Sequence, residues 1–155
     1  MTPGINVAKK NKIAHTVHEY THDAASESYG QEAADKLGIP AERVFKTLVV
    51  ALDNKQLAVG VVPVSSMLSM KSIARAAGAK KATMAPPEDV ERATGYVLGG
   101  VSPLGQKRRL KTIIDASAAE HATIYVSAGR RGLEIELSPD DLKKLTNGSL
   151  ADICQ

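Results

Sequence analysis

Val44-Phe45-Lys46-Thr47-Leu48-Val49-Val50-Ala51-Leu52, then Asp53-Asn54-Lys55, then Gln56-Leu57-Ala58-Val59-Gly60-Val61-Val62, is the stretch from which the architecture is read. Two runs rich in Val and Leu flank three polar residues that suit a tight turn, so the pattern predicts a β-hairpin. Lys46 interrupts the first run. Alternation along a strand puts Lys46 and Leu48 on one face and their neighbours on the other. A lysine on a largely apolar strand is unusual. Either its stem snorkels to water at an edge, or it faces a cleft and binds an anion. The residues alone leave both open.

Working outward, Pro3 opens a helix over residues 3–11, and His15 to Tyr20 is a strand with β-favouring Thr16, Val17 and Tyr20. A polar loop is expected over 21–30, containing Asp23, Ser26, Ser28 and Gly30, followed by a helix from Gln31 to Leu37 that Gly38 stops. Beyond the hairpin, Met70 to Ala77 has helical spacing and ends at Gly78. Lys81 to Met84 is a short strand. Pro86 and Pro87 open a helix whose first turn carries Glu88 and Asp89. Tyr96 to Leu98 leads into a glycine-rich loop. Leu110–Asp115, Thr123–Ser127 and Leu133–Leu137 are three more strands. Ser138 caps a helix through Leu145, and Leu150–Ile153 adds a last strand. Hairpin neighbours and helical crossovers together predict an α/β (α+β) single domain over residues 1–155. A mixed, mostly antiparallel curled sheet or barrel-like core is expected, with helices around it.

Composition bounds the class. The 155 residues are 43% hydrophobic and 24% charged, ordinary values for a globular domain of this length. Aromatics supply only 3% and Trp is absent, so the core rests on Val, Leu, Ile, Ala and Met. Cys154 is the single cysteine, which excludes an internal disulfide and any cysteine metal cluster. The first residues lack the pattern of a signal peptide, and no apolar run approaches the roughly 18 residues that span a membrane. A soluble, cytoplasmic protein without a cofactor is expected. The net charge is +3 and the pI about 9.0. The cations are clustered: Lys107, Arg108, Arg109 and Lys111; Arg130 and Arg131; Lys9, Lys10 and Lys12; Lys80 and Lys81. If they share a face they form a footprint for phosphates; the alternative is an ordinary mixed-charge surface.

Two motifs invite chemistry. His18-Glu19-Tyr20-Thr21-His22 matches the zinc-peptidase pattern H-E-x-x-H, which needs a helix to bring both imidazoles to one ion. Here it straddles a strand and a loop. Strand residues four apart are roughly 13 Å apart, so no metal is expected. Gly99-Gly100-Val101-Ser102-Pro103-Leu104-Gly105 is no phosphate loop. Adjacent glycines allow backbone N–H groups to approach a ligand and hold a carbonyl oxygen as charge develops on it. The plainer reading is a turn between strands.

Three segments in order then resemble the YbaK family, relatives of the editing domain inserted in bacterial prolyl-tRNA synthetases. They are Phe45–Val49, Gly95–Gly105 with its Ser102-Pro103-Leu104-Gly105, and Tyr125–Glu134. Met1-Thr2-Pro3 and Tyr20-Thr21-His22-Asp23 are also similar to it. The resemblance runs along nearly the whole chain. It implies a YbaK-like editing-domain fold and a deacylase that clears mischarged Cys-tRNA(Pro), and Cys-tRNA(Cys) with it, by attack of the substrate's own thiol on its carbonyl carbon. By the same resemblance Lys46 contacts the phosphate or ribose at the acceptor end, and Gly99 and Gly100 present N–H groups to the scissile carbonyl. Thr47, Tyr20, Ser127, Ser102 and Pro103 line or shape the pocket. Tyr29 stands where a Phe occurs and Glu134 where an Asp occurs, which alters pocket size and so the choice of amino acid. Lys107, Arg108, Arg109, Arg130 and Arg131 are expected on the tRNA backbone. The implied partners are mischarged tRNA and, transiently, prolyl-tRNA synthetase, met by a monomer. Three alternatives stay open: an Ala-tRNA(Pro) deacylase that activates water, a non-catalytic tRNA- or synthetase-binding module, and a zinc hydrolase through His18 and His22.

Overall fold

The computed structural model describes residues 1–25 and 29–155. The central hairpin forms as expected: β2 (Phe45–Leu52) pairs antiparallel with β3 (Leu57–Pro63), with Lys46 opposite Val62. The turn places Lys55 at φ 68 and is held by Asn54 Oδ1 accepting from Gln56 N. Both faces of this hairpin are buried. Phe45, Val49, Val59 and Val61 join the larger core; Val50, Leu52, Ala58 and Val62 join a second core with Leu68, Ile73, Ile113 and Ile153. A strand covered on both sides carries a continuous apolar run rather than an alternating one.

The remaining elements are built around it. In chain order they are α1 (Pro3–Lys10), β1 (His15–Glu19), α2 (Tyr29–Leu37), α3 (Met70–Ala76), β4 (Ala82–Met84), α4 (Pro87–Thr94), β5 (Lys111–Asp115), β6 (Ile124–Arg130), β7 (Leu133–Leu137), α5 (Pro139–Thr146) and β8 (Ser149–Ala151). The strands form a five-stranded mixed sheet, β4-β2-β3-β5-β8, and a three-stranded antiparallel sheet, β1-β7-β6. The mixed α/β class is thus as the sequence implied. The core is two sheets rather than a closed barrel among the described residues: they meet through a bridge between Val44 and Tyr125, and β2 spends its outer edge on the short β4. Two 3-10 turns, Ala41–Arg43 and Ala116–Glu120, had no sequence expectation. Of the loop expected over 21–30, Ser26 and Ser28 lie outside the described residues, and Tyr29 and Gly30 already belong to α2.

Helix ends follow their local chemistry. Thr2, Ser69 and Ser138 cap α1, α3 and α5 by accepting from Ile5, Ser72 and Asp141 amides. Gly95 ends α4 in the left-handed region at φ 82. Thr2 also donates its hydroxyl to the Ala128 carbonyl, tying α1 to β6. β6 carries a bulge between Ser127 and Arg130. Gly129 sits in it at φ 122, where a Cβ would come within 2.7 Å of the Tyr96 ring. That bulge re-aims the strand just beyond Ser127, beside the cleft described next.

Candidate functional site

A cleft of about 360 Å³ opens where the two sheets meet. Val44 just before β2 and Phe45 to Leu48 at its start contribute, β6 supplies Ser127 and β7 Glu134. Tyr20 follows β1, Tyr29 and Gly30 begin α2, and Leu98, Gly99 and Val101 come from the glycine-rich loop. Seven of the residues predicted for the pocket therefore converge, Lys46, Thr47, Tyr20, Tyr29, Gly99, Ser127 and Glu134, and Arg131 of the predicted cationic set joins them. Antiparallel register explains what β2 offers. Leu52 N donates to Gln56 O and Val64 N to Val44 O, so the even-numbered residues bond toward β3. Thr47 then turns its main-chain N–H and C=O to the other edge, which β4 pairs only from Val50 to Leu52. The Thr47 hydroxyl is buried and has no hydrogen-bond partner among the described residues. A buried polar atom without a partner costs about 1–3 kcal/mol, and a ligand can supply that partner.

The charges are sparse and specific. Lys46 forms no ion pair among the described residues. Glu134 is buried, and desolvation pushes its carboxyl up to about 8, so it is mostly protonated at neutral pH. Burial, with the Glu134 charge adding, also raises Tyr20. Arg131 lies with its guanidinium carbon 3.8 Å from the Tyr29 ring centroid and donates to Leu98 O at 3.3 Å. It is a wall of the cleft, holding Tyr29 and the glycine loop together, and remains exposed to solvent.

The double glycine is explained partly by packing. A Cβ at Gly99, whose φ is 91, would meet Arg131 Nε at 2.5 Å and Tyr29 at 2.8 Å; one at Gly100 would meet the Arg130 Cα at 2.8 Å. Gly100 does not present a free amide, because its N–H donates to Val97 O at 3.0 Å. In the glycine-rich loop, the cleft-lining residues Leu98, Gly99 and Val101 have amides that donate to no acceptor among the described residues. Ser102 and Pro103 do not line the cleft. Ser102 is fully buried and accepts from Leu104 N, a loop-shaping contact, and Pro103 faces a different recess. Arg108 and Arg109 line that second recess too, while the stem of Lys107 lies over Gly95. The expected cationic set is thus divided.

Behind the cleft, Glu32 clasps the loop after β1. Burial alone would raise its carboxyl, but hydrogen bonds from Asp23 N (2.7 Å), His22 Nδ1 (2.6 Å) and Lys36 hold it at about 2. His22 in turn lies 5.8 Å from the Tyr29 ring, so the clasp steadies that wall of the cleft. His18 pairs with Glu136 instead, so the two histidines of the H-E-x-x-H match serve different carboxylates. Burial and the Asp115 charge push the Cys154 thiol up to about 11, leaving it protonated and poorly nucleophilic.

Residues 23–145 match the family profile of the aminoacyl-tRNA editing domain. The chain belongs to that family. This editing domain is 37% identical over 154 residues to EbsC of Enterococcus faecalis, named as a candidate Cys-tRNA(Pro)/Cys-tRNA(Cys) deacylase; the match covers 98% of the chain and 92% of the relative. A crystal structure described as a candidate trans-editing enzyme for prolyl-tRNA synthetase superposes with a TM-score of 0.84 at 22% identity, covering 100% of this chain and 99% of that one. A hypothetical protein of known structure gives 0.88 at 24%, covering 99% of both chains. At those identities the two structures establish the fold. No described helix of the editing domain is long and apolar enough to cross a membrane.

Proposed function

We propose that this editing domain is a trans-acting aminoacyl-tRNA deacylase that removes cysteine from tRNA(Pro), and from tRNA(Cys) as a lesser substrate. Family membership and the name of the EbsC relative support the class of reaction. The observation that carries the finer reading is a cleft with hydrogen-bond donors and one unpaired ammonium, but with no cysteine in its lining and no histidine there to activate the Ser127 or Thr47 hydroxyl. In such a site the attacking group must come from the substrate or from water. At neutral pH Glu134 is mostly protonated and so a poor base toward water, which favours the substrate.

The step then runs as follows. The cysteinyl sulfur attacks its own ester carbonyl, forming a C–S bond as the C–O bond to the terminal ribose breaks. The thiol proton ends on the departing ribose oxygen, and the cyclic thioester hydrolyses in water to free cysteine. Lys46 engages the acceptor-end phosphate as a point charge. The Gly99 and Val101 N–H groups meet the carbonyl oxygen as it gains charge, a contribution of roughly 3–4 kcal/mol per donor in comparable sites. Thr47 and Ser127 offer polar contacts to the aminoacyl group, Tyr20 and Tyr29 close its sides, and neutral Glu134 donates a hydrogen bond. Holding sulfur in attack geometry supplies the rest, since well-oriented intramolecular reactions reach effective molarities of about 10⁵–10⁸ M.

Proline and cysteine are near in size, so a synthetase pocket cannot reject one sharply. Selectivity for the tRNA comes from a transient complex with prolyl-tRNA synthetase, which the editing domain joins as a monomer in the cytoplasm. The test is deacylation of Cys-, Ala-, Ser- and Pro-tRNA by the wild type and by Lys46→Ala. Rapid release of cysteine alone, lost on Lys46→Ala, supports the reading; preferential release of alanine replaces it with a water-using enzyme, and no release with a binding module.

A further inference from the structure

A second recess, about 410 Å³, lies between the last turns of α1 and α5 and the segment that follows the glycine loop. Lys10, Arg108, Arg109 and Lys144 line it, and no carboxylate does. None of the four makes an ion pair among the described residues. The modest alternative is that Lys10 and Lys144 merely complement the negative ends of their helices. Two helix C-termini present about −0.5 charge each, so four cations leave the recess at roughly +3. That surplus, gathered in one concavity in a chain whose whole net charge is +3, suits an anionic occupant.

The recess is rigidly built. Gly105 (φ 68) lets the loop approach Pro3 so closely that a Cβ would lie 2.6 Å from the Pro3 carbonyl. Tyr96 donates to Leu104 O at 2.6 Å, and the Arg108 amide donates to Ala93 O at 3.0 Å. It also abuts the cleft: Val101 lines one and Pro103 the other, and residues two apart are at most about 7 Å from each other. Two guanidinium forks suit phosphate oxygens. An acidic protein surface would want aromatic anchors, and the recess offers none.

We propose that this recess is a second RNA-binding site, which takes backbone phosphodiesters of the tRNA whose aminoacyl end occupies the cleft. The identity of the RNA rests on the deacylase reading; the phosphate chemistry rests on the recess.

The experiment titrates uncharged tRNA against the wild type, against Lys10→Gln/Arg108→Gln/Arg109→Gln/Lys144→Gln, and against a charge-matched control, Lys55→Gln/Lys71→Gln/Lys80→Gln/Lys81→Gln, from about 50 to 200 mM salt. Each phosphate contact contributes about 0.7–0.9 to the salt slope, so the recess variant should lose about 3 from the slope and the control less than about 1. Equal losses in both variants, or none in either, overturn the proposal. So does loss of polyglutamate binding with tRNA binding kept, which would assign the recess to an acidic protein. If the quadruple variant unfolds, Arg108→Gln/Arg109→Gln and Lys10→Gln/Lys144→Gln are read separately, each losing about half the effect. A wild type that binds tRNA through the recess but releases no amino acid sinks the deacylase reading alone; one that deacylates with an unaltered slope in the recess variant sinks this proposal alone.

Discussion

Replacing Glu134 by glutamine isolates what it costs to bury a carboxyl at the junction of the two sheets. Glu134 is 7% exposed, and its carboxyl makes no ion pair among the described residues. Burial moves it from 4.5 to about 8. Below a pH of about 4.5 the acid is protonated in folded and unfolded chains alike, and nothing is lost. Between about 4.5 and 8 the unfolded chain ionises while the folded one keeps its proton, so stability falls as pH rises; above 8 the loss is complete. At about 1.4 kcal/mol per pKa unit the ceiling is roughly 5 kcal/mol. Glutamine keeps the shape and cannot ionise. Its unpaired amide costs about 1–3 kcal/mol, but equally at every pH. The stability of Glu134→Gln relative to wild type should therefore climb by about 2–5 kcal/mol from pH about 5 to pH about 9. Urea unfolding midpoints at three pH values read it directly. A difference that stays flat within about 0.5 kcal/mol would refute the reasoning, because the carboxyl would then be hydrated or paired.

The other predictions concern the cleft's supports. Gly99→Ala strains a left-handed residue and displaces Arg131 from Tyr29; it should cost about 1–3 kcal/mol in stability and lower kcat/KM at least about tenfold, checked by thermal unfolding and deacylation kinetics. Glu32 has a depressed pKa, so its contribution is present above about 4.5 and lost as pH falls toward 2. On acidification the wild-type Tm should therefore drop more steeply than that of Glu32→Gln, and parallel curves would remove the clasp from the account. Cys154→Ser should leave the deacylation rate and its pH profile as they are, since the thiol stays protonated; a large loss would show that the enzyme does use its own sulfur.

Much of the fold was legible because its signals are local. The hairpin announced itself through two apolar runs and a three-residue polar turn, and Gly38 and Gly78 follow the ends of α2 and α3 at positive φ as their positions suggested. The division into two sheets was not legible, since it hangs on the Val44–Tyr125 bridge across the chain. The cleft was reached through family resemblance, and its residues come from widely separated segments that periodicity cannot gather. Two details could not have been read from residue types. Gly100 looks like Gly99 in sequence, yet its amide closes a turn on Val97, and Val101 has the free amide instead. Arg131 looks like its neighbours in a basic cluster, yet stacks on Tyr29. The second recess needed the fold outright, because Lys10 and Lys144 belong to opposite ends of the chain.

The decisive measurement compares the release rates of cysteine and S-methylcysteine from the same tRNA at saturating enzyme. Blocking the sulfur leaves the ester, the tRNA and every contact with Lys46 and the loop amides in place. The account predicts that release of the methylated residue falls to the uncatalysed rate while cysteine is cleared rapidly. Equal release of both would contradict it, and would mean that this cleft activates water.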